Sequence, residues 1–142
     1  MKIAIGSDHA GFGLKQYLLP KLREAGYDVL DLGCESDKVK ANHVKIANEL
    51  SFLISSREVS QGILICGTGI GMAMAANRHR GIRAAVANDG YSAVKSKEHN
   101  HANILCLGAR VLGRERAELI IIEWLKTEPI MKYQAAAYYV DQ

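Results

Sequence analysis

The chain has 142 residues, 49% apolar and 23% charged, with a formal net charge of +3, proportions that describe one ordinary globular domain and exclude a disordered chain, a collagen or a coiled coil. A chain of this length buries roughly two thirds of its unfolded surface and needs no disulfide or metal to hold it together. Its apolar runs are too short to span a bilayer, and its opening segment lacks the apolar core of a secretion signal.

The elements alternate between strand and helix along the chain. Lys2 to Gly6 reads as a buried first strand. Leu14, Tyr17, Leu18, Leu22 and Ala25 recur at helical spacing, with Gly26 as the stop and Pro20 as an expected kink. Tyr27 to Leu32 reads as the second strand, residues 33–42 as a polar loop, and Val44, Ala47, Leu50 and Ile54 as a second helical stripe. Gly62 to Cys66 is a continuous apolar run and the clearest strand; a glycine-rich turn, Gly67 to Gly71, follows at once, then the small-residue segment Met72 to Asn77. Gly81 to Ala87 reads as a fourth strand, Tyr91 to Lys97 as a short helix, and Ile104 to Leu107, closed by Gly108, as a fifth strand. Ala117, Ile120, Ile121, Trp124 and Leu125 mark a final amphipathic helix that Pro129 ends. No linker or repeat divides the chain, so residues 1–142 read as a single domain with 127–142 as a helix-compatible tail.

Strands alternating with helices predict a parallel sheet covered on both faces, wound by right-handed crossovers. The expected strand order is 2-1-3-4-5. Ligands of such sheets bind beyond the carboxyl ends of the strands, where the order reverses. That places Ser7 to Gly11 opposite Cys66 to Gly71.

The glycine turn opens a helix, so its backbone N–H groups and the positive helix end suit a phosphate or a developing oxyanion. A tight turn with no ligand is the plainer reading. Cys66, just before those amides, is either a thiolate base or nucleophile, or a buried small hydrophobe. Cys34 and Cys106 lack such surroundings and read as inert. Asp8 and His9 end the first strand; Asp8 also suits a helix cap. His99 and Asn100 lie in the loop before the fifth strand, where a histidine can move protons or simply be solvated. Arg110 follows the fifth strand and can meet an anion. His43 and His79 read as surface residues. The turn is neither a Walker loop nor a dinucleotide fingerprint. Three scattered cysteines without a secretion signal read as reduced thiols in a cytoplasm. No Cys or His pair has zinc-site spacing, so no metal site is expected. The scattered basic residues do not make a nucleic-acid footprint, and no membrane contact is expected.

Four segments carry a family resemblance. Ile5 to Gly11, Gly62 to Gly71, Gly81 to Ala84, and His99-Asn100 through Val111 resemble, in order and spacing, the ribose-5-phosphate isomerase B family. That family also includes galactose-6-phosphate isomerase subunits and allose-6-phosphate isomerases. The resemblance runs from residue 1 to about residue 126. It implies an aldose–ketose isomerase of sugar phosphates that uses no cofactor, with its site at a homodimer interface and dimers sometimes paired into tetramers. By position it implies that Cys66 moves the proton between C1 and C2, and that Thr68 and His99 assist ring opening. Asp8 and His9 then contact sugar and phosphate. The amides of Gly67, Gly69, Ile70 and Gly71 hold the enediolate, and Asn100 and Arg110 come from the partner subunit.

Two stretches depart from the family. Asn42-His43-Val44 stands where the family has Asp-Tyr-Pro. The tail, Tyr133 to Val140, replaces a segment whose arginines hold the substrate phosphate, and no arginine follows Arg116. Ribose 5-phosphate is therefore the default substrate but an expectedly weak one, with another sugar phosphate or an unphosphorylated sugar preferred. A non-catalytic subunit of a heteromeric isomerase is the second reading, and a nucleotide-binding protein a distant third.

Overall fold

A computed structural model of the chain describes residues 2–142. Among these residues one sheet is built from β1 (Lys2–Ser7), β2 (Asp28–Asp31), β3 (Gln61–Cys66), β4 (Ala84–Val86) and β5 (Ile104–Gly108), all parallel. The helices are α1 (Phe12–Glu24), α2 (His43–Ser55), α3 (Ile70–Ala76), α4 (Gly90–Glu98), α5 (Arg114–Lys126) and α6 (Gln134–Tyr139).

Local chemistry sets the ends of these elements. Asn42 Oδ1 accepts the Val44 N–H at 2.9 Å to cap α2, and Asp89 Oδ1 accepts the Ser92 N–H at 2.7 Å to cap α4. The chain leaves α1 through Gly26 in the left-handed region. The helix runs continuously through Pro20, which is exposed. The carbonyl that this proline leaves without a partner therefore faces water rather than the core.

α1, α4 and α5 cover one face of the sheet around Leu18, Ile63, Leu105 and the fully buried Trp124. α2 and α3 cover the other around Leu50, Leu64 and Met72. Burial of the Trp124 side chain alone removes enough apolar surface for about 4–6 kcal/mol.

The doubly wound sheet is as expected, but its order is β2-β1-β3-β5-β4 rather than 2-1-3-4-5. The last two strands are exchanged. All five residues of β5 are buried, whereas β4 is three residues long and half exposed. A continuous apolar strand gains most between two neighbours with both faces covered, and a short strand of small residues tolerates an edge. The loops after β1 and β5 lead to helices on one face, and the loop after β3 leads to the other. The β3 loop is thus flanked on both sides by diverging connections.

The tail is structured. Residues 131–133 form a 3₁₀ turn before α6, Ala137 is buried, and the Ile130 N–H donates to the Glu98 carbonyl at 3.0 Å. Arg83 Nη1 holds both carboxylate oxygens of Asp141 at 2.9 and 2.7 Å. These bonds fasten the tail to the carboxyl end of α4 and to the strand beside it.

Candidate active site

Three loops meet at the carboxyl edge of the sheet. The Asp8 N–H donates to the Ile65 carbonyl at 3.2 Å, and Ala109 and Arg110 donate to the carbonyls of Cys66 and Gly67 at 2.8 and 3.0 Å. The loops after β1 and β5 are therefore stitched to the β3 loop by backbone hydrogen bonds. Close approach is required as well as bonding. A Cβ built on Gly11 would lie 2.6 Å from the Ile65 oxygen, and one on Gly108 would lie 2.8 Å from Thr68 Cα. Gly69 takes a φ of +86° to turn the chain into α3.

Cys66 ends β3 at this junction, 7% exposed, and its Sγ accepts the Gly69 N–H at 3.1 Å. The amino end of α3 lies beside the sulfur. Thr68 Oγ1 accepts the Ile70 N–H at 3.2 Å. Two of the expected cradle amides, those of Gly69 and Ile70, are thus directed at the sulfur and the hydroxyl. Cys106 is different. Burial, helped by the neighbouring Cys66, pushes its thiol far above the usual range, so it stays protonated in the core.

Asp8 caps the 3₁₀ turn that opens α1, with Oδ1 accepting the N–H groups of Ala10 and Gly11 at 3.0 and 3.2 Å. The cap reading is therefore right for one of its oxygens. His9 Nδ1 accepts the Ala41 N–H at 3.3 Å. That bond leaves Nε2 as the atom that carries the proton and can donate. Arg110 lies beside the cradle of its own chain: a Cβ on Gly67 would be 3.5 Å from Arg110 Cδ. It reaches the glycine turn without a partner subunit.

His43 is a site neighbour that the sequence reading placed on the surface. It is half-buried, and its Nε2 lies 3.0 Å from where a Gly71 Cβ would stand, so the ring covers the first turn of α3. Its position at the start of α2 was legible, but the packing of α2 on α3 that carries the ring to Gly71 was not. His79 is half-buried and bonds Asn48 Oδ1 at 2.7 Å.

His99 and Asn100 lie elsewhere. α4 runs against the strand direction, so its carboxyl end is at the amino edge of the sheet. Cys66 is level with Gly108, while Ile104 is level with Gly62. The length of β5, roughly 13 Å, separates the two ends within one chain. There the His99 ring packs on Tyr133 with centroids 4.5 Å apart. His101 takes a φ of +51° and bonds the Ile130 carbonyl at 3.0 Å. Among the described residues no group of three His, Cys, Asp or Glu side chains is arranged to hold a metal, and no helix is long and apolar enough to cross a membrane.

Fold and site together define a doubly wound α/β protein that holds a thiol beside a glycine-rich turn at the carboxyl edge of its sheet. The model of the Ribose/Galactose Isomerase family matches residues 3–137, and the chain belongs to that family. Ribose-5-phosphate isomerase B of Escherichia coli is 44% identical over 124 residues, covering 87% of this chain and 83% of its own. The D-erythrulose-4-phosphate isomerase of Pectobacterium atrosepticum is 40% identical over 147 aligned residues, covering 100% of this chain and 97% of its own. The solved structure of a Thermotoga maritima ribose 5-phosphate isomerase matches with a TM-score of 0.93 at 40% identity, over 99% of this chain and 97% of that one.

Proposed function

We propose that the chain is a cytoplasmic, metal-independent aldose–ketose isomerase of sugar phosphates that works as a homodimer or a pair of dimers. The observation that carries this reading is the Cys66 sulfur, 3.1 Å from the Gly69 N–H at the mouth of the glycine turn. A thiolate there removes the C2 proton of an open-chain aldose. The electron pair passes to the C1 carbonyl oxygen, and the amides of the turn other than those of Gly69 and Ile70, which Cys66 and Thr68 hold, stabilise the enediolate. Transfer of the O2 proton to O1 and return of the abstracted proton to C1 give the ketose; nothing is oxidised or reduced overall. His99 and Thr68 open the cyclic sugar by moving the proton of the anomeric hydroxyl. Asp8, His9, Asn100 and Arg110 hold the remaining oxygens.

The separation of His99 and Asn100 from Cys66 within one chain supports a site shared between two copies. The test is complementation. Cys66→Ser homodimers are inactive and His99→Asn homodimers turn over cyclic sugar only slowly, while mixed subunits regain about a quarter of wild-type activity on cyclic sugar, because half of randomly paired dimers carry one intact site. Mixtures as inactive as the parents would remove the shared site. Wash-out of label from C2 of ribose 5-phosphate into water distinguishes this isomerase from a subunit that only binds sugar phosphate.

Ribose 5-phosphate is the default substrate. A four-carbon sugar phosphate is the second reading. It is favoured by the full-length match, tail included, to a relative named for erythrulose 4-phosphate. Rates on the two phosphates measured side by side decide between them.

A further inference from the structure

A cleft of about 740 Å³ lies beside His99 and Asn100, bounded by the turn between α3 and β4 and by α6. That volume is in the range of small-molecule sites. Ala136 and Ala137 leave it open on the tail side. Three arginines line it: Arg78, Arg80 and Arg83. Arg83 is committed, with both oxygens of Asp141 on Nη1 and the His101 carbonyl on Nε at 2.8 Å. Arg78 and Arg80 are exposed and form no ion pair among the described residues. Asp141, the one acidic side chain lining the cleft, is already taken up by Arg83. Two uncompensated guanidinium groups therefore share a cleft with the residues that the proposed function assigns to ring opening and substrate binding.

We propose that Arg78 and Arg80 hold the terminal phosphate of the substrate, supplying the guanidinium groups that the tail lacks. This rests on the isomerase reading above. A phosphate monoester carries close to two negative charges, and guanidinium groups match its oxygens with paired N–H donors. The arginines sit on the turn after α3, so they travel with His99 and Asn100 into the shared site. Substrate specificity is then set by the α3–β4 turn rather than by the last helix.

The test uses the whole protein and two readouts. Calorimetric titration with inorganic phosphate reports the cleft without any turnover. Arg78→Ala/Arg80→Ala weakens phosphate binding by about 100-fold, roughly tenfold for each guanidinium removed. Arg78→Lys/Arg80→Lys keeps the charge and falls between the wild type and the alanine variant. With ribose 5-phosphate the double alanine variant raises KM by a similar factor and leaves kcat within about twofold, as removal of uniform binding requires. Phosphate that fails to bind the wild type, or binds the alanine variant equally well, overturns the proposal. Arginine-dependent phosphate binding without turnover of any sugar phosphate overturns the isomerase reading and leaves the cleft standing. Turnover with a KM indifferent to both arginines does the reverse.

Discussion

Cys66 and Cys106 lie on neighbouring strands in different surroundings. Cys106 is wholly buried and held as a thiol, while Cys66 reaches the edge where an amide and a helix end meet its sulfur. Cys66→Ser replaces the proposed base and keeps the shape. It lowers turnover by about a thousandfold or more with little change in melting temperature, since a hydroxyl is a far poorer base than a thiolate. Near-normal turnover of the serine variant would take Cys66 out of the mechanism. His99→Asn slows cyclic sugar more than open-chain sugar; equal losses on both would leave His99 only a binding or structural part. Cys66 was legible from a strand that ends in a glycine turn. His43 was not, because nothing along the chain reports which helix packs on which.

Strands and loops act as units where glycine lets them touch. The β3 and β5 loops meet at Gly108, where an added methyl group would strike the Thr68 backbone at 2.8 Å. Gly108→Ala therefore displaces the glycine turn. We expect a stability loss of about 1–3 kcal/mol and a fall in kcat/KM of at least tenfold, because sub-ångström positioning governs the proton transfer. Wild-type activity in this variant would show that the turn can shift freely. The order of β4 and β5 belongs to the same level. A chain-order reading runs the strands in succession, but the exposure of the Ala84–Val86 strand reveals an edge. The all-apolar run from Ile104 to Leu107 was a signal for a central place.

For the fold as a unit, one buried cation gives a pH signature. Lys97 is 5% exposed, donates to Gln61 Oε1 at 2.6 Å and to the Trp124 carbonyl at 2.8 Å, and sits 3.9 Å from the Trp124 ring centroid. Burial pushes its ammonium down from 10.5 to about 8, partly offset by Glu128. Between these values the unfolded chain keeps a proton that the folded one has released, so this group makes stability rise with pH from about 8 to 10.5, by up to about 3 kcal/mol. Cys106 pulls the other way above about pH 9, because the unfolded thiol ionises and the buried one does not. The readout is thus the difference between wild type and Lys97→Met in urea melts from about pH 7.5 to about pH 9.5. The gap should move in favour of the wild type as pH rises, and a constant gap would remove the assignment. Activity should also survive EDTA unchanged; loss on chelation with recovery on adding a metal would contradict proton transfer by Cys66 alone.

The local chemistry of the chain was enough for the alternation of strand and helix, the doubly wound class, the glycine turn after the third strand and the thiol before it. Those features depend on hydrophobic period, on glycine and on capping side chains, all of which act over a few residues. The exchange of β4 and β5, the ring of His43 over Gly71 and the cleft that gathers Arg78 and Arg80 beside His99 depend on packing between distant segments. So does the placement of His99 at the opposite edge of the sheet from Cys66. Strand order is decided by which run gains most from burial on both faces, and a cleft by which helix ends the core leaves uncovered. Both are sums over interactions between segments far apart in the chain, and only the folded molecule performs them.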